Sequence, residues 1–138
     1  MASQLTLSIV TPEREIVRVD VDEVELPGSE GYFGVLPGHT PMLATLTVGH
    51  LIYRTGQDMR MLAIAFGFAE VLPDAVTVLA QVAERAEDID VSRAQAALER
   101  AEERLSRHEG DLDYGRARTA LDKALARLQV ASRARGGR

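Results

Sequence analysis

The sequence predicts an α+β protein built in two successive parts, a β-sandwich followed by an antiparallel two-helix hairpin. Three observations carry this. From Leu5 to about Val82 apolar and polar residues alternate at period two, in short runs bounded by glycine- and proline-containing turns. From Asp90 onward alanine, leucine, arginine and glutamate dominate, and the apolar spacing becomes helical. Charge divides at the same place: residues 1–87 hold 12 acids and 5 bases, whereas residues 88–138 hold 9 acids and 11 bases, within a net charge of −5.

A chain of 138 residues with 46% hydrophobic content can bury a real core. Aromatics make up only 4% and tryptophan is absent, so that core must be aliphatic. The lack of cysteine removes disulfides, thiolate catalysis and cysteine-ligated zinc. The beginning, MASQLTLSIV, has no basic lead, and no window approaches the roughly 18 apolar residues of a membrane span. These features together predict a soluble, intracellular protein.

The elements follow in order. Leu5, Leu7 and Ile9 form one face of a strand that stops at Thr11-Pro12, and Ile16, Val17, Val19 and Val21 lead on to Val24 and Leu26. The stretch Leu26 to Pro41 then carries Pro27, Pro37 and Pro41 with Gly28, Gly31, Gly34 and Gly38. No helix survives that spacing, so it reads as two turns around a very short strand. Loops held by a rigid scaffold are also where binding residues concentrate. Met42, Leu43 and Leu46 follow, then a turn near Val48-Gly49, then Leu51, Ile52 and Tyr53. Thr55-Gly56-Gln57-Asp58 is a hairpin signal. Met59 to Leu72, a turn at Pro73-Asp74, and Val76, Val78 and Leu79 complete eight to ten short strands, the pattern of a sandwich or flattened barrel.

The helical part reads as two stripes. Ala94, Leu98, Ala101 and Leu105 form the first; Tyr114, Ala117, Leu121, Leu125 and Leu128 form the second. His108-Glu109-Gly110-Asp111 separates them, with Gly110 suited to a left-handed cap. Because the stripes are narrow and interspersed with alanine, each helix buries little area, and at roughly 25 cal/mol per Å² their packing contributes only a few kcal/mol. Such a hairpin is expected to be detachable from the sandwich.

Several classes of function find no support. His39, His50 and His108 have no serine or carboxylate at a spacing that makes a triad or metal site. Gly31-Tyr32-Phe33-Gly34 lacks the lysine and helix of a phosphate loop. Arg127, Arg133, Arg135 and Arg138 concentrate basic charge at the end of the chain, but a pI near 5.2 argues against nucleic acid.

Four motifs in this order and layout carry a resemblance. They are Gly28-Ser29-Glu30-Gly31 with Gly34-Val35-Leu36-Pro37-Gly38-His39-Thr40-Pro41, Gly67-Phe68-Ala69-Glu70-Val71, Val76-Thr77-Val78-Leu79-Ala80, and Ile89-Asp90-Val91-Ser92-Arg93-Ala94. Over essentially its whole length the chain resembles the ε subunit of bacterial F-type ATP synthases. The resemblance implies a ten-stranded β-sandwich, or flattened barrel, over residues 1–86, and a regulatory helical hairpin over residues 87–138. It further implies a non-catalytic rotor subunit whose sandwich binds the γ subunit and the c-ring. The hairpin, when extended along γ, meets the α and β subunits and blocks ATP hydrolysis. Membrane association then comes only through the complex, on the cytoplasmic face of the bacterial membrane, and nucleic acid is not a partner. A free-standing nucleotide-sensing or nucleic-acid-binding module is the alternative.

The same resemblance assigns residues. The c-ring contact falls on Glu30, Gly31, Tyr32, Phe33, His39 and Pro41, with Tyr32 standing where relatives are often polar or acidic. ATP, as a regulatory ligand, falls on Glu84, Ile89, Asp90, Arg93, Arg100, Lys123 and Arg127, with Lys123 where an arginine is typical. The residues themselves offer support. On a helical wheel Asp90, Arg93 and Arg100 fall within roughly 80° beside the apolar stripe, and Arg116, Lys123 and Arg127 share an edge of the second helix. Paired helices would bring these bases to one polyanion, with guanidinium forks on its phosphate oxygens. Asp90 is equally suited to cap the helix that starts at Val91, a role worth about 1 kcal/mol.

Overall fold

The period-two half of the chain forms β1 (Leu5–Val10), β2 (Glu15–Val21), β3 (Glu23–Gly28), β4 (Gly31–Val35), β5 (Met42–Leu46), β6 (Gly49–Thr55), β7 (Asp58–Leu72) and β8 (Ala75–Arg85). A 3-10 turn over Ala86–Asp88 leads into α1 (Val91–Arg107) and α2 (Tyr114–Gly136). The computed structural model describes residues 4–107 and 113–136. The helix break expected at His108 to Asp111, with its Gly110 cap, lies outside them.

The strands join in the order β2-β1-β8-β7-β5-β3-β4, with β6 pairing β3 and β7. All neighbours are antiparallel except β1 and β8, which run parallel from Thr6↔Ala75 to Val10↔Leu79. The enclosed core is aliphatic, as the composition requires: Leu5, Leu7, Ile9, Val24, Leu26, Leu51, Leu62, Ile64, Val71, Val76 and Val78 are all buried in one cluster. Gly56, at φ +63, makes the tight turn between Thr55 and Asp58 that the sequence signals.

Eight strands, not ten, are present among the described residues; β2 and β4 end the path without pairing each other, while β3, β5, β7 and β6 pair in a ring, so the fold is a sandwich and not one barrel through all its strands. The count falls because β7 and β8 are long and run unbroken across both halves of the sandwich. β7 spans 15 residues. Its first limb pairs with β6, from Thr55↔Asp58 to Gly49↔Ile64, and its second with β5, from Leu46↔Gly67 to Met42↔Val71. Between the limbs the backbone turns a corner at Phe66 (φ 58) and Gly67 (φ +149), where the Phe66 N–H donates to the Thr47 carbonyl at 3.3 Å. β8 likewise continues to Arg85, past Val82 where the alternation finishes in sequence. Strands that bend in this way let one sheet cover two faces of a core.

Only glycine fits the corner at position 67. A Cβ there would lie 2.0 Å from the Leu79 carbonyl oxygen and 2.9 Å from the Ala80 Cα. The backbone of β8 therefore passes directly against β7, in a conformation that side chains rarely adopt.

Both helices are capped by aspartate. The Asp90 carboxylate accepts from the Arg93 N–H at 3.1 Å, and the Asp113 carboxylate accepts from the Arg116 N–H at 3.0 Å. α1 packs on α2, and α2 packs on β7, β6 and the 3-10 turn. Ala94 and Ala101 of α1, with Ala117 and Ala124 of α2, are buried between the helices. The second stripe departs from its expected course: Tyr114 and Leu125 are 62% and 38% exposed. α2 is instead covered on two sides. A 100° wheel puts Ala126 and Val130 roughly opposite Ala117, and Val130 and Ala131 pack with Ala63 of β7 and Ile89 in a small second cluster.

Gly67→Ala is expected to destabilise the protein by about 2 kcal/mol or more, from overpacking and a strained φ. Urea unfolding measures this, and a variant as stable as the parent would contradict the corner's role.

Candidate functional site

The path out of the sandwich builds a cleft. β8 ends beside Glu84, the 3-10 turn brings Asp88 round, and Asp90 opens α1, so three carboxylates reach the mouth of one hollow. The first turns of α1 contribute Arg93 and Arg100, with Ala94, Ala96 and Ala97 too small to fill the space; α2 contributes Arg127. The cleft encloses about 440 Å³, within the roughly 300–1,000 Å³ of small-molecule sites.

Its charges are arranged unequally. Arg127 donates through Nε to the Glu84 carboxylate, and both side chains are about one-third exposed or less. Arg93 and Arg100 form no ion pair with any described residue. Two guanidiniums are therefore available to phosphate oxygens, and a third becomes available when Glu84 releases it. Asp90 and Glu84 are acceptors suited to an amino group or sugar hydroxyls, and as carboxylates they repel a bare polyanion. The donor set fits a nucleotide better than it fits inorganic polyphosphate.

Five of the seven residues expected to bind nucleotide, Glu84, Asp90, Arg93, Arg100 and Arg127, line this one cleft. Ile89 does not line it; its side chain is buried with Ala63, Val130 and Ala131. Lys123 also stands apart. Its ammonium lies 5.8 Å from the centroid of the Phe66 ring, a cation–π contact that ties α2 to the corner of β7.

The residues expected at the c-ring flank β4. Ser29 and Glu30 form the tight turn before it, where the Ser29 N–H donates to the Thr45 carbonyl at 2.9 Å, and Gly31 opens the strand at φ +128. His39 and Pro41 belong to the loop after it, anchored by the Gly38 N–H donating to the Pro73 carbonyl at 2.7 Å. His39 donates from Nδ1 to the Thr40 carbonyl at 2.7 Å. Phe33 turns inward against the core. Tyr32 is 49% exposed, but its ring stacks on His50 with centroids 4.5 Å apart, and its hydroxyl accepts from the His50 N–H at 3.1 Å. Glu30 and Pro41 are exposed.

A further surface went unread in the sequence. Phe68 and Leu79 are directly paired across β7 and β8 and are 51% and 54% exposed, and Leu43 on β5 is 72% exposed. Leu36, Met42 and Leu72 are exposed as well. A row of large apolar side chains on the outer sandwich face marks a docking surface. Its signal was available: around Phe68 and Leu79 the strands are apolar on both faces, which a solvated face does not need.

Among the described residues no helix is long and apolar enough to cross a membrane, and no cluster of three or more His, Asp or Glu could hold a metal ion.

A β-sandwich followed by a helical pair, with an arginine-lined cleft at the junction, defines a two-part sandwich-and-hairpin protein. The family description "ATP synthase, Delta/Epsilon chain, beta-sandwich domain" matches residues 4–86, and "ATP synthase, Delta/Epsilon chain, long alpha-helix domain" matches residues 87–132. The chain belongs to the ATP synthase delta/epsilon family. It is 54% identical over 133 residues to the ATP synthase epsilon chain of Syntrophobacter fumaroxidans, covering 96% of this chain and 99% of that one. It is 47% identical over 134 residues to the epsilon chain of Nitratidesulfovibrio vulgaris, covering 97% and 100%. Among solved structures the fold is similar to a chain of the Euglena gracilis mitochondrial ATP synthase (OSCP/F1/c-ring), with TM-score 0.82 at 24% identity over 96% of this chain and 83% of that chain.

Proposed function

We propose that this protein is a non-catalytic rotor-stalk subunit of an F-type ATP synthase, in which the sandwich joins the γ subunit to the c-ring and the hairpin restrains ATP hydrolysis. The relatives that it matches along nearly their whole length are ATP synthase epsilon chains. The observation that carries the regulatory half is the thinness of the hairpin's seat. α1 rests on α2, and α2 meets the sandwich through Ala126, Val130 and Ala131, the Arg127–Glu84 pair and Lys123 over Phe66. Burying one valine contributes about 1.5–3 kcal/mol and each alanine less, so competing contacts on another subunit can lift the hairpin. In the seated position seen here it is off its proposed target, the α and β subunits.

The exposed row at Leu43, Phe68 and Leu79 is proposed to meet γ, and the turns at Glu30-Gly31 and His39-Pro41 to meet the polar loops of the c-ring. Tyr32 joins them through its exposed ring edge. The subunit is then peripheral, held at the cytoplasmic face of the membrane by its partners. ATP is proposed as the ligand of the cleft: Arg93 and Arg100 take phosphate oxygens, Arg127 exchanges Glu84 for phosphate, and Asp90 and Glu84 accept from ribose or adenine. Since the cleft joins β8, α1 and α2, a ligand there bridges hairpin and sandwich and favours the seated state.

Two outcomes are expected. A chain truncated after Ala86 assembles into the ATP synthase and leaves it with higher ATP hydrolysis than the full chain; equal hydrolysis in the two enzymes contradicts the inhibitory role. Arg93→Ala weakens ATP binding by the isolated subunit at least about tenfold, since a charged hydrogen bond is worth about 1.5–3 kcal/mol. Titration calorimetry reads this with circular dichroism unchanged, and undiminished binding removes Arg93 from the site.

A further inference from the structure

His50 lies where the sandwich tip and the hairpin meet. On one side its ring stacks on Tyr32, whose hydroxyl lies 3.3 Å from His50 Nδ1. On another, His50 Nε2 lies 3.7 Å from the Glu25 carboxylate of β3. Across β6 and β7 His50 pairs directly with Ala63, which packs under Val130 and Ala131 of α2. The last turns of α2 therefore run over His50, and the Arg133 charge acts on it. The Tyr32 hydroxyl lies close over Gly49, where an added Cβ would meet it at 2.3 Å.

We propose that His50 is a proton-operated latch for the helical hairpin, in which a proton on the ring favours the lifted position. This rests on the mobile-hairpin reading above and adds what moves it. In the neutral ring Nε2–H faces Glu25 and Nδ1 accepts from the Tyr32 hydroxyl. A proton on Nδ1 turns that hydrogen bond round, with Nδ1–H donating to the Tyr32 hydroxyl, and it puts a positive charge in the field of Arg133. The groups facing His50 are Glu25 from β3, Tyr32 from β4 and Arg133 from α2; Ala63 on β7 carries no charge.

Burial lowers the His50 pKa from its ordinary 6.5, Arg133 lowers it further, and Glu25 opposes both. Lifting α2 uncovers the ring and removes Arg133, which raises the pKa again. Protons therefore bind the lifted state more tightly, and acidification favours lifting. Because Tyr32 on β4 is among the residues proposed to touch the c-ring, the same proton also changes the charge beside that contact.

The chain has no cysteine, so spin labels on Gln81→Cys of β8 and Ser106→Cys of α1 report the hairpin's position in the full-length subunit. The lifted-to-seated ratio is expected to rise at least about threefold between about pH 8 and about pH 6. His50→Gln should flatten this response and Arg133→Ala should weaken it, while Arg133→Lys and a His39→Gln/His108→Gln double variant keep it. Thermal melts by circular dichroism confirm that each variant is folded. A response in His50→Gln equal to the parent's, or no response in the parent while ATP still shifts the hairpin, overturns the latch and leaves the mobile hairpin standing. A single unchanging distance in every variant, pH and nucleotide condition sinks the mobile hairpin itself.

Discussion

Everything regulatory in this fold depends on how α2 sits on the first limb of β7. That limb is buried on both sides: Leu62 and Ile64 face the sandwich core, while Ala63 and Ala65 are also covered. Alanine allows the helix close approach and supplies little apolar area, so the seat is near in space and weak in energy. The sandwich, by contrast, is held by layers of leucine, isoleucine and valine with no exposure at all. The two parts are thus separable by design of their side chains. A difference of 1.4 kcal/mol changes a population tenfold, so in the proposed function a nucleotide, a partner subunit or a proton decides where the hairpin rests.

The corner at Phe66 and Gly67 organises the surfaces around that seat. Before it, β7 carries α2; after it, the same strand turns Phe68 outward beside Leu79. One strand therefore supports both the hairpin and the apolar row proposed to meet γ. Lys123 over the Phe66 ring ties α2 to the corner between them. The cleft lies on the same side as the seat, where Glu84 near the end of β8 reaches Arg127 of α2. The Arg127–Glu84 pair that joins hairpin to sandwich also occupies one of the guanidiniums the proposed nucleotide would use, whereas Arg93 and Arg100 form no ion pair with any described residue.

Much of this was legible in the sequence, and the failures have physical causes. Strand faces, the Thr55–Asp58 turn and the Asp90 cap all rest on local rules, and each appears in the structure. The eight strands fall within the eight to ten that the pattern allows, while the ten implied by the resemblance do not appear, because a bend in a continuous strand leaves the same residues in sequence as a break between two. The unbroken apolar run Met61 to Ala65 was the available clue to a limb covered on both sides. The second helical stripe was misplaced for a related reason: α2 packs on α1 and on β7, and two apolar faces blur a single period. Periodicity on each helix placed Arg93, Arg100 and Arg127 near a common edge, and the hairpin brought them to one cleft. Lys123 shares an edge with Arg127, yet a 100° wheel separates them by roughly 40°, enough to send one to the cleft and the other to Phe66.

The most direct measurement locks the seat shut. Cysteines placed at Ala65 and Ala126, which line the same small gap between β7 and α2, can be oxidised to a disulfide in the assembled ATP synthase and reduced again. If the hairpin must leave the sandwich to restrain the enzyme, oxidation raises ATP hydrolysis to the level of the hairpin-deleted complex and reduction restores inhibition. Hydrolysis equally inhibited with the bond formed and broken would contradict the account.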